Sequence, residues 1–315
     1  MKILFITNMF PVEDYQSFGI HVKEQIESLK NVESDIFFIN GRESKVNYFK
    51  SIRSIKHALK SKDYDLIHIH YAISGLFLLF FRPKVPVIIT LHGGELFGMK
   101  GFINRFLQKN ITLNILKYAS KVIVLNDLTA ELLKSHQNKL MKIPCGINAN
   151  RFKQLAGPEE TDTLKIGFPS SRSRIEKNWP LFTSIIEELK ARFNIVVVEF
   201  DDMTRDEVAQ NLNELDLLIM TSFSEGSPQI IKEAMGCNKP IVSTNVGDVS
   251  DLLQDVRNCF VVETFDKMDF IAPVEAILLL NKEDRVSNGR QKLMQMGIDE
   301  GSVAEKLSKM YESVI

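Results

Sequence analysis

Short apolar runs rich in β-branched residues alternate with helical patterns from one end of this chain to the other. Such alternation predicts an α/β fold with parallel sheets and helices on both faces. At 315 residues the chain is long enough for two domains of ordinary size. The strands are predicted near 2–7, 35–40, 65–69, 86–91, 121–125 and 140–143, and then near 164–168, 194–199, 216–220, 239–243 and 258–262.

The boundary between the two strand sets is predicted in the segment 154–162. It is the only linker between them that is rich in glycine, proline and acidic residues. We therefore expect one domain over residues 1–155 and a second over residues 156–299. No repeat or low-complexity segment interrupts either half.

Cysteine content and hydropathy predict where the protein works. Cys145, Cys237 and Cys259 are odd in number and widely spaced, which favours buried thiols in a reducing compartment. The first residues read as a strand rather than a signal peptide, and no apolar run approaches the ~20 residues of a membrane span. We expect a cytoplasmic protein.

Charge is distributed unevenly along the chain. Residues 1–155 carry a net charge of +10 and the remainder −11, although the whole chain is close to neutral. A basic half suggests an anionic partner, and nucleic acid is one candidate. The basic residues are dispersed, however, and no nucleic-acid motif is present. We expect no nucleic-acid partner.

Residues 216–236 are predicted to form a strand, a tight turn and a helix. Ser227 suits the N-cap and Pro228 the first helical position, so the helix is expected to begin here and end near Gly236. Free backbone N–H groups and the helix dipole favour an anion at such a point. The turn therefore predicts a phosphate site.

Two carboxylates bracket that turn. Glu225 precedes the predicted helix, and Glu233 lies about one and a half turns inside it. Carboxylates repel phosphates but accept hydrogen bonds from vicinal hydroxyls. We therefore expect a sugar and a ribose on either side of a bound diphosphate. The alternative is an ordinary strand–turn–helix unit with solvated acids.

This stretch resembles the Glu-x7-Glu signature of the family-4 retaining glycosyltransferases, which are group 1 glycosyltransferases. The resemblance implies the GT-B fold, with two Rossmann-like parallel-sheet domains facing a cleft. The N-terminal one would be the acceptor domain, joined by the C-terminal helix 300–315, and the C-terminal one the nucleotide-sugar donor domain. The matching residues are Ser222, Glu225, Gly226, Pro228, Glu233, Ala234, Met235, Pro240 and Val242.

A second part of the resemblance lies in the loop 170–178, which follows the predicted strand 164–168. It is similar to the family's basic loop, and this similarity places Arg172 and Lys177 on the positions that hold the diphosphate. Two cations there would stabilise the negative charge of a leaving nucleoside diphosphate. Ser171 replaces the family's glycine, and Arg174 is a weaker candidate. A basic solvated loop is the alternative.

Two elements of the first half also resemble the family. Gly19 falls in a loop similar to the family's N-terminal glycine loop near the donor phosphates, although a simple turn would look the same. His92 falls on the histidine of a T-x-H-D element, with Gly93 in place of the aspartate. Glu95, three residues after His92, is a further candidate in this element. One of His68 and His70 is expected to point into a face of the sheet as a hydrogen-bonded core residue, so neither is taken as catalytic. Their strand-alternating spacing without a fourth ligand argues against zinc.

The resemblance implies a retaining hexosyltransferase that moves a sugar from a nucleoside-diphosphate sugar to a hydroxyl acceptor, in cell-surface polysaccharide or glycolipid assembly. No cofactor or metal is implied. Alternatives are a nucleotide-sugar-binding GT-B protein without transferase activity and a nucleotide-sugar epimerase. The implied catalytic residues are His92, Arg172, Lys177 and Glu225, and the implied donor-binding residues are Gly19, Arg172, Lys177, Glu225, Gly226, Ser227, Pro228 and Glu233.

The acceptor side offers one further pattern. Helix 49–60 is predicted to be basic and amphipathic, and an apolar, glycine-flanked loop follows at 97–103. Together they would suit peripheral contact with an anionic membrane, at its inner face, where a lipid-linked saccharide could be the acceptor. The alternative is a solvated helix packed through its isoleucine and leucine residues.

Overall fold

The computed structural model describes residues 1–13, 15–97, 102–155 and 162–315, without the side chains of 97 and 102–105. The chain forms two compact units. The first contains Met1–Gly146 together with Glu300–Ile315, and the second contains Ile147–Asp299. Within the described residues, each unit has one parallel sheet, as the alternating pattern predicted.

The first unit has a six-stranded sheet in the order β2-β1-β3-β4-β5-β6. β1 and β3 pair in register from Ile3 with Leu66 to Thr7 with His70, so the polar ends of these strands lie side by side. The strands are β1 (Lys2–Thr7), β2 (Glu33–Phe38), β3 (Leu66–His70), β4 (Val87–Thr90), β5 (Lys121–Val124) and β6 (Leu140–Lys142).

Helices cover both faces of this sheet and bury its aliphatic residues in two clusters. The last helix of the chain packs on the first unit through Val303, Leu307 and Tyr311. The helices of this unit are α1 (Ile20–Ser28), α2 (Asn47–Ser61), α3 (Gly94–Phe97), α4 (Phe102–Leu116), α5 (Asp127–Leu132) and α12 (Glu300–Glu312), with 3-10 turns at Ala72–Leu79 and Lys134–Lys139.

The second unit has a five-stranded sheet in the order β11-β10-β9-β7-β8. Because β7 lies between β8 and β9, the loops after all three strands meet at one edge of the sheet. The strands are β7 (Leu164–Phe168), β8 (Ile195–Glu199), β9 (Leu217–Met220), β10 (Ile241–Thr244) and β11 (Cys259–Val262).

The helices of the second unit bury two further aliphatic clusters against its sheet. They are α6 (Trp179–Leu189), α7 (Arg205–Glu214), α8 (Gln229–Gly236), α9 (Val249–Leu253), α10 (Lys267–Leu278) and α11 (Gly289–Met296), with 3-10 turns at Ile175–Lys177 and Lys282–Asp284.

The division between the units falls earlier than the linker 154–162. Ile147 and Phe152 are fully buried in the core of the second unit, where they pack with α8. The segment that contains them therefore belongs to the second unit rather than to residues 1–155. Residues 156–161 of the predicted linker lie outside the described residues.

Candidate donor site

The loops that follow β7 and β9 are joined by hydrogen bonds. The hydroxyl of Thr221 donates to the carbonyls of Lys177 and Asn178 at 3.0 and 3.1 Å. The backbone N–H of Phe223 donates to the carbonyl of Glu176 at 2.8 Å. These contacts fix the basic loop against the turn that carries the first signature carboxylate.

Lys177 and Glu225 form the central ion pair of this edge. Lys177 Nζ lies 2.6 Å from Glu225 Oε1, and Ser222 Oγ donates to the same oxygen at 2.8 Å. The two side chains are only 7% and 14% exposed. The structure thus brings together a cation and an acid that lie far apart in sequence, at the carboxyl ends of adjacent strands.

Arg172 lies at the same edge but is held by a carboxylate that the sequence did not single out. Its Nε and Nη2 bond Glu199 Oε2 at 2.9 and 2.5 Å, and its backbone N–H donates to Oε1 at 2.9 Å. Hydrogen bonding from Arg172 holds the pKa of Glu199 below its usual value. Arg174 pairs with Glu176 instead, at 2.7 Å.

The helix that follows the signature turn begins one residue later than expected. Pro228 is the N-cap of α8 and Gln229 its first residue, so the prediction of a Ser227 N-cap was wrong. The Ser227 hydroxyl donates to Asp248 Oδ2 at 2.6 Å and accepts from the buried Lys232 Nζ at 3.1 Å. The Ser227 side chain therefore bonds Asp248, in the loop after β10, instead of capping α8.

A close backbone approach shapes this turn. Gly247 has φ +63, and a Cβ there would lie 2.5 Å from the carbonyl oxygen of Gly226. Only glycine suits both the conformation and the space. The loop after β10 thus packs directly against the turn that leads into α8. Burial raises the pKa of the nearby Asp248 carboxyl.

Glu233 lies within α8 and is almost fully buried, with 2% of its side chain exposed. Its Oε1 accepts from Arg205 Nη2 at 2.6 Å. Arg205 was not predicted, because it comes from the first position of α7, 28 residues away in sequence. The two signature carboxylates therefore each have a cationic partner, the buried Lys177 for Glu225 and the half-buried Arg205 for Glu233.

Gly19 and His92 belong to the first unit, whereas Arg172, Lys177, Glu225, Gly226, Ser227, Pro228 and Glu233 belong to the second. Gly19 has φ +67, and a Cβ there would lie 2.3 Å from the carbonyl carbon of Met9. This residue permits the start of α1 at Ile20 close to the loop after β1.

His92 is part of a cluster of aromatic rings after β3 and β4. It stacks on Tyr71 with ring centroids 4.1 Å apart, and its Nε2 lies 3.2 Å from His70 Nδ1. The Tyr71 hydroxyl lies 3.2 Å from His21 Nε2. Tyr71 has φ 64, an uncommon conformation for this residue type. The sequence analysis did not identify Tyr71 and His21 as members of this cluster. Nothing in the sequence around Tyr71 predicts its positive φ.

The other polar residues near His92 have structural contacts. The buried Glu95 carboxylate accepts the backbone N–H of His92 at 3.1 Å and that of Ala72 at 3.3 Å, so it braces the ends of β3 and β4. Burial raises the pKa of Glu95 and lowers the pKa of His68 to about 3. His68 bonds Tyr311 and Thr90, both at 2.7 Å, as expected of a core residue.

The described residues contain neither a cluster of side chains suited to a metal ion nor a helix suited to a membrane. No group of three or more histidine, cysteine, aspartate or glutamate side chains is arranged there to hold a metal ion. No helix in the same ranges combines the length and the apolar composition needed to cross a membrane.

The fold and the signature turn together define a GT-B glycosyltransferase. A family model described as Glycosyltransferase Family 4 matches residues 18–151, and one described as Glycosyl transferases group 1 matches residues 178–279. The chain belongs to this group 1, family-4 set of glycosyltransferases, which confirms the resemblance drawn from the sequence motifs.

Curated relatives agree with this assignment. An uncharacterised glycosyltransferase of Methanocaldococcus jannaschii is 26% identical and aligns with 90% of each chain. The N-acetyl-alpha-D-glucosaminyl L-malate synthase of Bacillus anthracis is 21% identical, over 79% of this chain and 74% of its own. The UDP-Gal:alpha-D-GlcNAc-diphosphoundecaprenol alpha-1,3-galactosyltransferase of Escherichia coli is 21% identical, over 86% and 80%.

Solved structures show the same fold. Sucrose-phosphate synthase from Thermosynechococcus elongatus superposes with a TM-score of 0.80, covering 99% of this chain and 98% of its own at 16% identity. Anabaena HepE in complex with UDP gives a TM-score of 0.70, covering 99% of this chain and 100% of its own at 15% identity.

Proposed function

We propose that this glycosyltransferase is a retaining enzyme that moves a hexosyl group from a nucleoside-diphosphate sugar to a hydroxyl acceptor. The observation that carries the proposal is the arrangement around the turn before α8. The half-buried Glu225 and the buried Lys177 form an ion pair on one side, and Glu233 is buried inside the helix. HepE, which shares this fold, has been solved with UDP bound.

The donor would bind with its diphosphate against the start of α8 and the basic loop. Backbone N–H groups and the dipole at a helix N-terminus favour an anion, while Glu225 and Glu233 accept hydrogen bonds from sugar and ribose hydroxyls. Arg172 and Lys177 supply the positive charge. The site contains both carboxylates and cations because the carboxylates bind hydroxyls and the cations bind the diphosphate.

The reaction we propose needs no carboxylate nucleophile. The bond between the sugar C1 and the diphosphate oxygen breaks, and the acceptor oxygen bonds to C1 from the same face. The acceptor proton passes to the leaving phosphate oxygen. Charge builds up on the diphosphate during this step, and fixed cations stabilise it.

Arg172 and Lys177, together with the α8 N-terminus, would take the role that a divalent cation has in other transferases. We therefore propose a reaction without a metal. Addition of a chelator should leave the initial rate unchanged, and restoration of a lost rate by a divalent cation would contradict this point.

The stereochemical outcome tests the proposal. The enzyme is incubated with nucleotide sugars and a panel of acceptors that includes undecaprenyl-diphosphate saccharides, and the anomeric proton of the product is followed by NMR. A product with the donor's anomeric configuration supports retention. An inverted product overturns it, and an epimerised sugar without transfer would favour an epimerase. Donor binding without turnover on any acceptor would favour a binding protein.

Replacing Arg172 by alanine should lower kcat/KM by about 10²-fold or more, the usual effect of removing one preorganised electrostatic contact. The reason is that its guanidinium lies at the strand edge that carries Lys177 and is exposed enough to meet the diphosphate. Steady-state kinetics with the cognate donor measure the effect. Arg257→Ala removes an exposed arginine elsewhere in the unit and is the matched control. An Arg172→Ala enzyme with unaltered kcat/KM would remove this residue from the site.

We also propose that the acceptor is lipid-linked and that the first unit contacts the inner face of an anionic membrane. The E. coli relative is named for a diphosphoundecaprenol substrate. In this chain α2 buries Ile55 and presents exposed basic residues beside the exposed Phe49. A basic face with an exposed aromatic ring suits an anionic interface. The predicted loop 97–103 lies largely outside the described residues. The basic residues of α2 are Lys50, Arg53, Lys56, His57 and Lys60.

Vesicle flotation tests this contact. We expect the protein to bind anionic vesicles at low salt and to detach as salt rises, because surface charge is screened. Changing Lys50, Arg53 and Lys60 to glutamate should weaken binding about 10²-fold or more, since each basic residue near the surface contributes about 1 kcal/mol and about 1.4 kcal/mol is a factor of ten. The control changes three exposed cations of the second unit, Lys153, Lys190 and Arg257. Failure of the unmodified protein to float would favour a soluble acceptor and a solvated helix.

A further inference from the structure

Arg205 occupies a fixed position at the start of α7. Thr204 caps this helix in a capping box with Glu207, so the backbone of Arg205 is held by two reciprocal contacts. From there the side chain reaches Glu233, with Nη2 2.6 Å from Oε1. Only 17% of the arginine side chain is exposed. The pair therefore lies largely outside the reach of solvent.

An aromatic ring orients the guanidinium. The central carbon of the Arg205 guanidinium lies 4.7 Å from the ring centroid of Phe152, which is itself fully buried. A guanidinium over an aromatic face gains cation–π attraction. The ring and Glu233 thus contact the guanidinium from two directions and restrict its rotation.

A buried carboxylate such as that of Glu233 needs a cationic partner. Taking an isolated charge out of water is costly, and removing one member of a buried pair leaves the other uncompensated. Arg205 contacts Glu233 at Oε1, to which its Nη2 N–H donates. A cation that holds one oxygen restricts the rotation of the carboxylate relative to α8.

We infer that Arg205 is a positioning residue that orients Glu233 toward the ribose hydroxyls of the donor nucleotide. The inference rests on the proposed function, because it takes Glu233 as the ribose ligand. Arg205 acts through Glu233 and does not itself touch the donor. Its role is distinct from that of Arg172 and Lys177, which meet the diphosphate.

A double-mutant cycle on the full chain tests this inference. The variants are Arg205→Gln, Glu233→Gln and the two together, and the measurement is calorimetric binding of the nucleoside diphosphate that the wild type binds most tightly. Arg205→Gln should weaken binding about tenfold, the size expected for one charged hydrogen bond, and Glu233→Gln about 10- to 100-fold, because it removes the charged acceptor itself. The double variant should bind no more weakly than Glu233→Gln alone. Arg205→Lys, which keeps the charge, should recover part of the loss.

A positioning role also predicts a specific kinetic signature. Arg205→Gln should raise KM for the donor about tenfold while kcat changes less than threefold, because the leaving-group cations remain. The matched control is Arg151→Gln. Arg151 pairs with Asp206 at 3.0 Å and ties the segment before Phe152 to α7 as Arg205 does, without contacting Glu233. Thermal unfolding of every variant reports whether the fold persists.

The possible results separate the two claims. If Glu233→Gln binds like the wild type, the assignment of Glu233 in the proposed function fails. If Glu233→Gln binds weakly but Arg205→Gln binds normally, only the inference about Arg205 fails. A further loss in the double variant would mean that Arg205 contacts the donor directly. An equal loss in Arg151→Gln would mean that both arginines merely hold α7 in place, and either result overturns the inference.

Discussion

Lys177→Ala should lower kcat by about 10²- to 10³-fold, the range found when one preorganised charge-stabilising group is removed. Its ammonium lies 2.6 Å from Glu225 and is only 7% exposed, so its position is set before the donor binds. In the proposed reaction this charge meets the leaving diphosphate. Removing it also leaves the half-buried Glu225 without this cation, and the uncompensated carboxylate would repel the incoming diphosphate.

The control for this prediction is Lys190→Ala, which removes an exposed lysine from the end of α6. We expect the control to retain the wild-type rate. Both variants should be compared in single-turnover experiments, so that slow product release does not mask a change in the chemical step. A Lys177→Ala enzyme that keeps wild-type single-turnover rates would show that this residue does not stabilise the leaving group.

Glu233→Gln should weaken donor binding by about 10- to 100-fold, because a charged acceptor of two ribose hydroxyls becomes a neutral one that can accept at a single oxygen. The same change should also lower the free energy of unfolding by about 1–3 kcal/mol, because Arg205 loses its contact with a buried carboxylate charge.

Calorimetry with a nucleoside diphosphate measures the first effect, and denaturant unfolding measures the second. Glu187→Gln is the matched control, because Glu187 is an exposed carboxylate on α6. It should change neither quantity. Wild-type affinity in Glu233→Gln would contradict the ribose assignment whatever happens to its stability.

The sequence predicted the two parallel sheets because each strand is a short apolar run bounded by turn residues. Leu217–Met220, for example, is buried along its whole length, as a central parallel strand must be. The unit boundary was predicted less well. Ile147 and Phe152 are apolar residues that either unit could have buried, and nothing in their local pattern shows that they pack beside α8.

The site was predicted to the extent that its residues lie in contiguous motifs. Lys177 and Glu225 could be found in this way, whereas their direct contact across 48 residues could not. Glu199 and Arg205 lie in no motif and are recognised only through the side chains that they bind. Ser227 was wrongly predicted as the N-cap of α8 because its hydroxyl bonds Asp248, which lies 21 residues further along the chain.

The central claim is that the edge of the second unit around α8 binds a nucleoside-diphosphate sugar. A thermal-shift panel of nucleoside diphosphates and nucleotide sugars tests it most directly, because a ligand that binds only the native state raises the unfolding midpoint. We predict a concentration-dependent rise with at least one nucleoside diphosphate and its sugar conjugates, and a much smaller rise in Glu233→Gln. No rise with any member of the panel, or an equal rise in Glu233→Gln, would contradict the account.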